Sequence, residues 1–185
     1  MVKEALIESE EKMKGAITAL ENDLATIRTG RASPALVERL PVEYYGTPTP
    51  LQQLATISAP EPRLLTVKPF DPQSLKDIEK AIQASELGLT PSNDGKLIRL
   101  VIPALTEERR RDLIKVVHHR LEEARVAVRN VRRNAHDDLR EFEKEKMISE
   151  DELKRGETEL QKLTDRYIEK IDEHGQRKEA EIKEI

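Results

Sequence analysis

No cysteine and no tryptophan occur in the 185 residues, and aromatic side chains make up only 3% of them. The first absence excludes disulfides and thiolate metal sites, and it fits a reducing compartment. Few rings and 37% charged residues describe exposed helices rather than a broad ligand-binding core. No apolar run approaches the roughly 20 residues of a membrane-spanning helix. Met1–Lys14 is too charged to be a signal peptide. The chain is expected to be soluble and cytoplasmic.

A catalytic or metal constellation is missing too. His118 and His119 are neighbours, so on a helix they point about 100° apart and cannot share a metal. His136 and His174 offer no ligand spacing, and solvated helix histidines are the plainer reading. Gly95-Lys96 lacks the upstream glycine and the following Ser/Thr of a phosphate-cradling loop. The residues therefore read as no enzyme, with no metal and no cofactor.

Charge is present and segregated. The net charge is −4, yet nine Lys/Arg face three Asp/Glu between Arg109 and Arg133, whereas Glu141–Ile185 holds ten basic residues against fifteen acidic. Local charge decides where a polyanion docks.

The basic stretch lies on a long predicted helix. Leu113, Val117, Leu121, Ala124, Val128, Val131, Ala135, Leu139 and Phe142 recur in steps of three and four, a seam that packs against other helices. Arg125, Arg129 and Arg132 fall on a neighbouring stripe, with Arg133 just beyond. Guanidinium is planar, always charged and matched to phosphate oxygens. The same row also reads as solvated charges paired with Glu122, Glu123, Asp137 or Asp138. Arg28 and Arg31 add charge where the first helix ends. On the residues alone, polyanion binding and solvated ion pairs stand level.

Leu6, Met13, Ile17, Leu20, Leu24 and Ile27 predict a first helix over Val2–Arg28, interrupted only by Glu10 and stopped at Thr29-Gly30 with Pro34 beyond. From Pro41 the pattern changes to short strands: Val42–Tyr45, Ala55–Ser58, Leu64–Lys68 and Leu97–Ile102. A short amphipathic helix is expected over Gln73–Ser85 and a turn at Ser92–Gly95. Of Tyr44 and Tyr45, at least one is expected in the core, because adjacent strand residues face opposite sides. Thr106 opens the long helix, and Ser149 with Glu152 forms a capping box for the last one. That last helix carries Leu153, Leu160, Leu163, Tyr167 and Ile171, with Gly156 and Gly175 as weak points. Three seams of similar period must bury one another. The expected fold is α+β: a three-helix bundle from residues 1–30 and 105–185, with a small domain inserted at 31–104.

Longer strings carry a resemblance. Ile27-Arg28-Thr29-Gly30-Arg31-Ala32-Ser33-Pro34, Tyr44-Tyr45-Gly46-Thr47-Pro48-Thr49-Pro50-Leu51 and Leu105-Thr106-Glu107-Glu108-Arg109-Arg110 resemble the bacterial ribosome recycling factors. So do Val126-Ala127-Val128-Arg129-Asn130-Val131-Arg132-Arg133 and Gln161-Lys162-Leu163-Thr164-Asp165, in the right order over nearly the whole length. The chain departs from the family at Ser85–Pro91, where Glu86 and Thr90 stand for the usual Asp and Asn. It departs again at Ala104, where a second proline is common.

The resemblance implies an elongated L-shaped monomer with the outline of a transfer RNA, its short arm a β/α/β domain. It implies a translation factor that, with elongation factor G and GTP, parts the subunits of the post-termination ribosome. It further implies that Arg28, Arg31, Arg129, Arg132 and Arg133 meet RNA of the large subunit, and the residue pattern adds Arg125. A hinge is expected at Gly30, Ala32, Ser33 and Pro34 on one linker and Pro103, Ala104 and Leu105 on the other. The chief rival expectation is an RNA-binding helical adaptor that scaffolds a complex without recycling, and the second is an RNA-processing enzyme with its site hidden in the inserted domain.

Overall fold

The three apolar seams become three long helices, each packed on the other two. A computed structural model describes residues Met1–Glu184. In chain order the elements begin with α1 (Val2–Ala25), β1 (Pro41–Tyr44), β2 (Thr47–Pro50) and the single turn α2 (Leu51–Leu54). They continue with β3 (Ala55–Glu61), β4 (Leu64–Pro69), α3 (Leu75–Ala84), β5 (Pro91–Asn93) and β6 (Ile98–Val101). The long helices α4 (Glu107–Lys144) and α5 (Glu150–Lys183) follow. The residues form two units, Met1–Arg28 with Glu107–Glu184, and Thr29–Thr106.

In the helical unit the expected seam residues are buried: Ile17 and Leu24 on α1, Val117 and Val128 on α4, Leu160 and Leu163 on α5. The α1 seam is more continuous than its sequence suggests. Ser9 is only 3% exposed and satisfies its hydroxyl on the Ala5 carbonyl at 2.7 Å. Glu10, which looks like an interruption, accepts a 3.1 Å bond from the hydroxyl of buried Tyr167 on α5. Burial, and then the neighbouring Glu10 carboxylate, push that phenol above its ordinary pKa.

Helix α1 ends at Ala25 rather than at Arg28. The Thr26 hydroxyl donates to the Asp23 carbonyl at 2.6 Å, and Ile27 N–H bonds to Leu24 O at 3.1 Å. These bonds tighten the last turn from i→i−4 to i→i−3 spacing and satisfy its carbonyls.

Helix α4 stops by a Schellman arrangement. Met147 N–H reaches the Phe142 carbonyl at 2.8 Å and Lys146 N–H the Glu143 carbonyl at 2.9 Å, with Lys146 at φ +61° in the position glycine usually takes. The expected capping box then opens α5. The Ser149 hydroxyl accepts from Glu152 N–H at 3.2 Å, and the Glu152 carboxylate accepts from Ser149 N–H at 2.7 Å. That backbone donor holds the Glu152 pKa below its ordinary value.

Helix α5 runs unbroken past Gly156 and Gly175. They are buried contact points. A Cβ on Gly156 would lie 3.1 Å from Val2 Cγ1 and 3.2 Å from Leu139 Cδ1, and one on Gly175 would lie 2.3 Å from Leu121 Cδ1. Glycine lets the helices approach there.

In the second unit β3, β4, β6 and β5 form an antiparallel sheet in that order, while β1 and β2 make a separate hairpin. Two of these strands, β2 and β5, lie where proline-rich and turn-like sequence masked them. The hairpin turns on Tyr45 (φ +49°) and Gly46 (φ +79°), the two positive angles of a two-residue turn. Tyr44 packs on the core, while Tyr45 stands in the turn and is 77% exposed. Val42, Leu51, Leu65, Val67, Ile78, Ile82, Ile98 and Leu100 fill the core. Asp94 fixes the last turn by accepting from Lys96 and Leu97 N–H, each at 2.9 Å.

The two linker segments lie beside each other within this unit. Gly30, at φ +76°, leaves room that Leu105 fills, since an added Cβ would stand 3.1 Å from Leu105 Cγ. Ala32 N–H donates to Pro62 O at 2.7 Å and Ile102 N–H to Arg63 O at 2.8 Å. One turn between β3 and β4 thus anchors both segments.

Candidate nucleic-acid interface

Steps of four, three and one residues bring Arg125, Arg129, Arg132 and Arg133 to one side of α4, next to the stripe buried against α1 and α5. The four guanidiniums are held differently. Arg125 is the most enclosed, its side chain 26% exposed. It donates to Asp172 of α5 at 2.6 Å and to Glu122 at 3.3 Å. The Asp172 bond raises its pKa further, against the opposing effect of burial. This arginine joins two helices, and its charge is matched by carboxylates.

Arg129 is 52% exposed and reaches Glu122 at a long 3.4 Å. Exposed pairs of this kind contribute about 0–1 kcal/mol and release readily. Arg132 donates to the side-chain oxygen of Gln161 on α5 at 3.1 Å. Arg133 is exposed. Among the described residues neither Arg132 nor Arg133 forms a salt bridge. Of Glu122, Glu123, Asp137 and Asp138, only Glu122 pairs with the row among the described residues, while Glu123 serves Arg120 and His119 and Asp137 lies beside His136.

Arg28 and Arg31 are both exposed. Arg28 closes the α1 segment of the helical unit, and Arg31 belongs to the other unit. Helices α1 and α4 run antiparallel, since Ala5 and Ser9 share a groove with Val131, Ala135 and Phe142. At 1.5 Å per residue, Arg28 lies about 25–30 Å further along the bundle than Ser9. Within the helical unit, Arg28 and the α4 row do not form one patch.

Three histidines link helices through carboxylates instead of standing free: His118 with Glu179, His136 with Glu157 at 2.9 Å, and His174 with Glu21 at 3.2 Å. His119 pairs along its own helix with Glu123 at 3.0 Å. Sequence reasoning also missed Gln161 and Asp172, the α5 side chains that meet the arginines. Their positions are polar points on an α5 face whose rotation toward α4 no spacing rule supplies. Among the described residues no helix is long and apolar enough to cross a membrane.

Comparison with known proteins gives this geometry a context. A family model described as ribosome recycling factor matches residues 20–182. The ribosome-recycling factor of Roseiflexus castenholzii is 60% identical over 185 residues, all of both chains. That of Halalkalibacterium halodurans is 57% identical over the same span. A solution structure of a ribosome recycling factor aligns with a TM-score of 0.67 and 46% identity, covering 100% of this chain and 98% of that one. A second structural neighbour has a TM-score of 0.60, 51% identity and 98% coverage of both chains. That structure concerns the T. thermophilus ribosome recycling factor and E. coli elongation factor G bound to the E. coli post-termination complex.

Proposed function

Because the chain belongs to the ribosome recycling factor family, we propose that it docks on large-subunit ribosomal RNA through Arg129, Arg132 and Arg133. Arg28 and Arg31 form a second contact, and Arg125 chiefly fixes α5 beneath the row. One observation carries this reading: in a chain with 36 acidic and 32 basic residues, Arg132 and Arg133 have no carboxylate partner among the described residues. A rigid helix thereby holds adjacent unneutralised guanidiniums in a form suited to phosphate oxygens.

Acting in the cytoplasm with elongation factor G and GTP, the factor helps to part the subunits of a post-termination ribosome. Its own side chains make and break no covalent bond. The bundle is a stiff element gripping RNA, and the partner that hydrolyses GTP supplies the work. Gly30, Ala32, Ser33, Pro34, Pro103, Ala104 and Leu105 serve as the hinge by which the inserted unit turns.

The test is the double variant Arg129→Ala, Arg132→Ala. Its melting temperature should stay near that of the parent, since the exposed contacts it loses are worth about 0–1 kcal/mol each. Binding to isolated large subunits should weaken, and its salt dependence should flatten by roughly one counterion per lost phosphate contact. Unchanged affinity at every salt concentration would return the row to solvated ion pairs.

The hinge has a separate test. Cysteines at Ala32 and Ala104 meet no native thiol, and they should form a disulfide if their α-carbons lie within about 7 Å. The oxidised protein should bind large subunits normally yet split ribosomes slowly with elongation factor G, and it should recover on reduction. Full splitting by completely crosslinked protein would remove hinge motion from the mechanism.

A further inference from the structure

Among the described residues Arg132 is the one arginine of the row held by a neutral side chain from another helix. Its Nη1 donates to Gln161 Oε1 at 3.1 Å, and Gln161 Nε2 donates to Asp165 Oδ1 at 2.8 Å. Hydrogen-bond chemistry permits only this direction. Guanidinium has no acceptor and an ionised carboxylate has no donor, so the amide must turn its oxygen to Arg132 and its nitrogen to Asp165. Gln161 and Asp165 are one turn apart on α5, where such side chains meet. Asp165 therefore fixes the amide, and the amide fixes the guanidinium.

Arg125 provides the contrast. Asp172 also comes from α5 and also orients an arginine, at 2.6 Å, but a carboxylate cancels the charge it orients. An amide orients without cancelling. Arg132 uses one of its five N–H groups on Gln161 and keeps its full charge, with the remaining donors free for phosphate.

We infer that Gln161 and Asp165 are positioning residues for RNA binding: a relay on α5 that holds Arg132 ready for a phosphate while leaving its charge intact. This rests on the reading of the arginine row as an RNA contact. A flexible arginine loses rotamer freedom when a phosphate captures it, and one already ordered loses less. Ordering a single rotamer-rich side chain corresponds to about a two- to tenfold change in affinity.

Four variants separate positioning from charge, with large-subunit affinity measured at several salt concentrations and melting temperature alongside. Both Gln161 and Asp165 are exposed, so folding should be preserved. Gln161→Ala should weaken binding about two- to tenfold with an unaltered salt slope, because the number of charges in the contact is unchanged. Arg132→Ala should weaken binding and lower the slope by about one counterion. Asp165→Ala and Asp165→Asn remove the same negative charge, but the asparagine oxygen can still accept from Gln161. Asp165→Asn should therefore bind more tightly than Asp165→Ala.

Equal affinities for the two Asp165 variants, together with parental affinity for Gln161→Ala, would overturn the relay while leaving the arginine contact standing. Parental affinity for Arg132→Ala would instead overturn the RNA contact at that residue, and the relay with it.

Discussion

Val128→Asp is expected to cost the helical unit about 3–5 kcal/mol at neutral pH, the usual penalty of an uncompensated buried charge. Val128 is fully buried on α4, with both other long helices packed on that element. Total stabilities of single domains are about 5–15 kcal/mol, so the variant should melt far below the parent or be largely unfolded. The loss should depend on pH in a definite sense. Burial raises the folded-state pKa of the new carboxyl above its unfolded value of about 3.9. Such a group is tolerated best below the unfolded pKa, and its tolerance is lost as pH rises through the folded one. The gap between variant and parent should narrow on going from pH 8 to pH 5, as circular dichroism melts can show. A variant melting like the parent at both values would mean that Val128 does not face the core.

The long helices were legible because their burial is periodic. Nine apolar residues from Leu113 to Phe142 keep one stripe, and seven of them are buried, with Val131 and Phe142 at its margin. Where the stripe is kept by a residue of another class, pattern reading fails. Ser9 occupies a core position because its hydroxyl is satisfied by Ala5 one turn back. Glu10 lies at the edge of the core because Tyr167 donates to it. Tyr167 lies on α5, so that partner cannot be read from the α1 sequence alone.

The small unit was legible in its buried strands and less so at its edges. Leu64–Lys68 and Leu97–Ile102 alternate enough to show a strand, and they emerge as β4 and β6 at the centre of the sheet. By contrast, β2 is Thr-Pro-Thr-Pro and β5 is Pro-Ser-Asn. Proline there signals a break, yet an edge strand tolerates it because some N–H groups need no ladder partner. The arginine stripe was visible from spacing, but which arginines keep their charge unmatched was not. That depends on whether α5 turns Asp172 or Gln161 toward each one.

Gly175 shows the same limit at a single residue, and its replacement should have the second large effect. Helix propensity alone favours alanine over glycine by about 1 kcal/mol in a helix interior. Packing opposes it. An alanine Cβ at position 175 would stand 2.3 Å from Leu121 Cδ1, 3.2 Å from Cδ2 and 3.3 Å from Cγ, against roughly 3.5–4.0 Å for carbon atoms at rest. The closest atom is a terminal methyl, but Leu121 is itself buried, so any new rotamer must find room in a close-packed core. Leu121 must repack, or α4 and α5 must part. Overpacking of this kind typically costs about 1–3 kcal/mol, and at this distance it should outweigh the gain in propensity. Gly175→Ala is therefore expected to lower the melting temperature. Leu121→Ala alone should also destabilise, by about 2–5 kcal/mol through the cavity it leaves. The double variant should lose clearly less than the two single losses added together, because the new methyl group occupies part of that cavity and no longer meets the leucine. A melting temperature raised by Gly175→Ala, by the same amount with Leu121 or Ala at position 121, would show that the helices adjust without strain and that propensity alone decides.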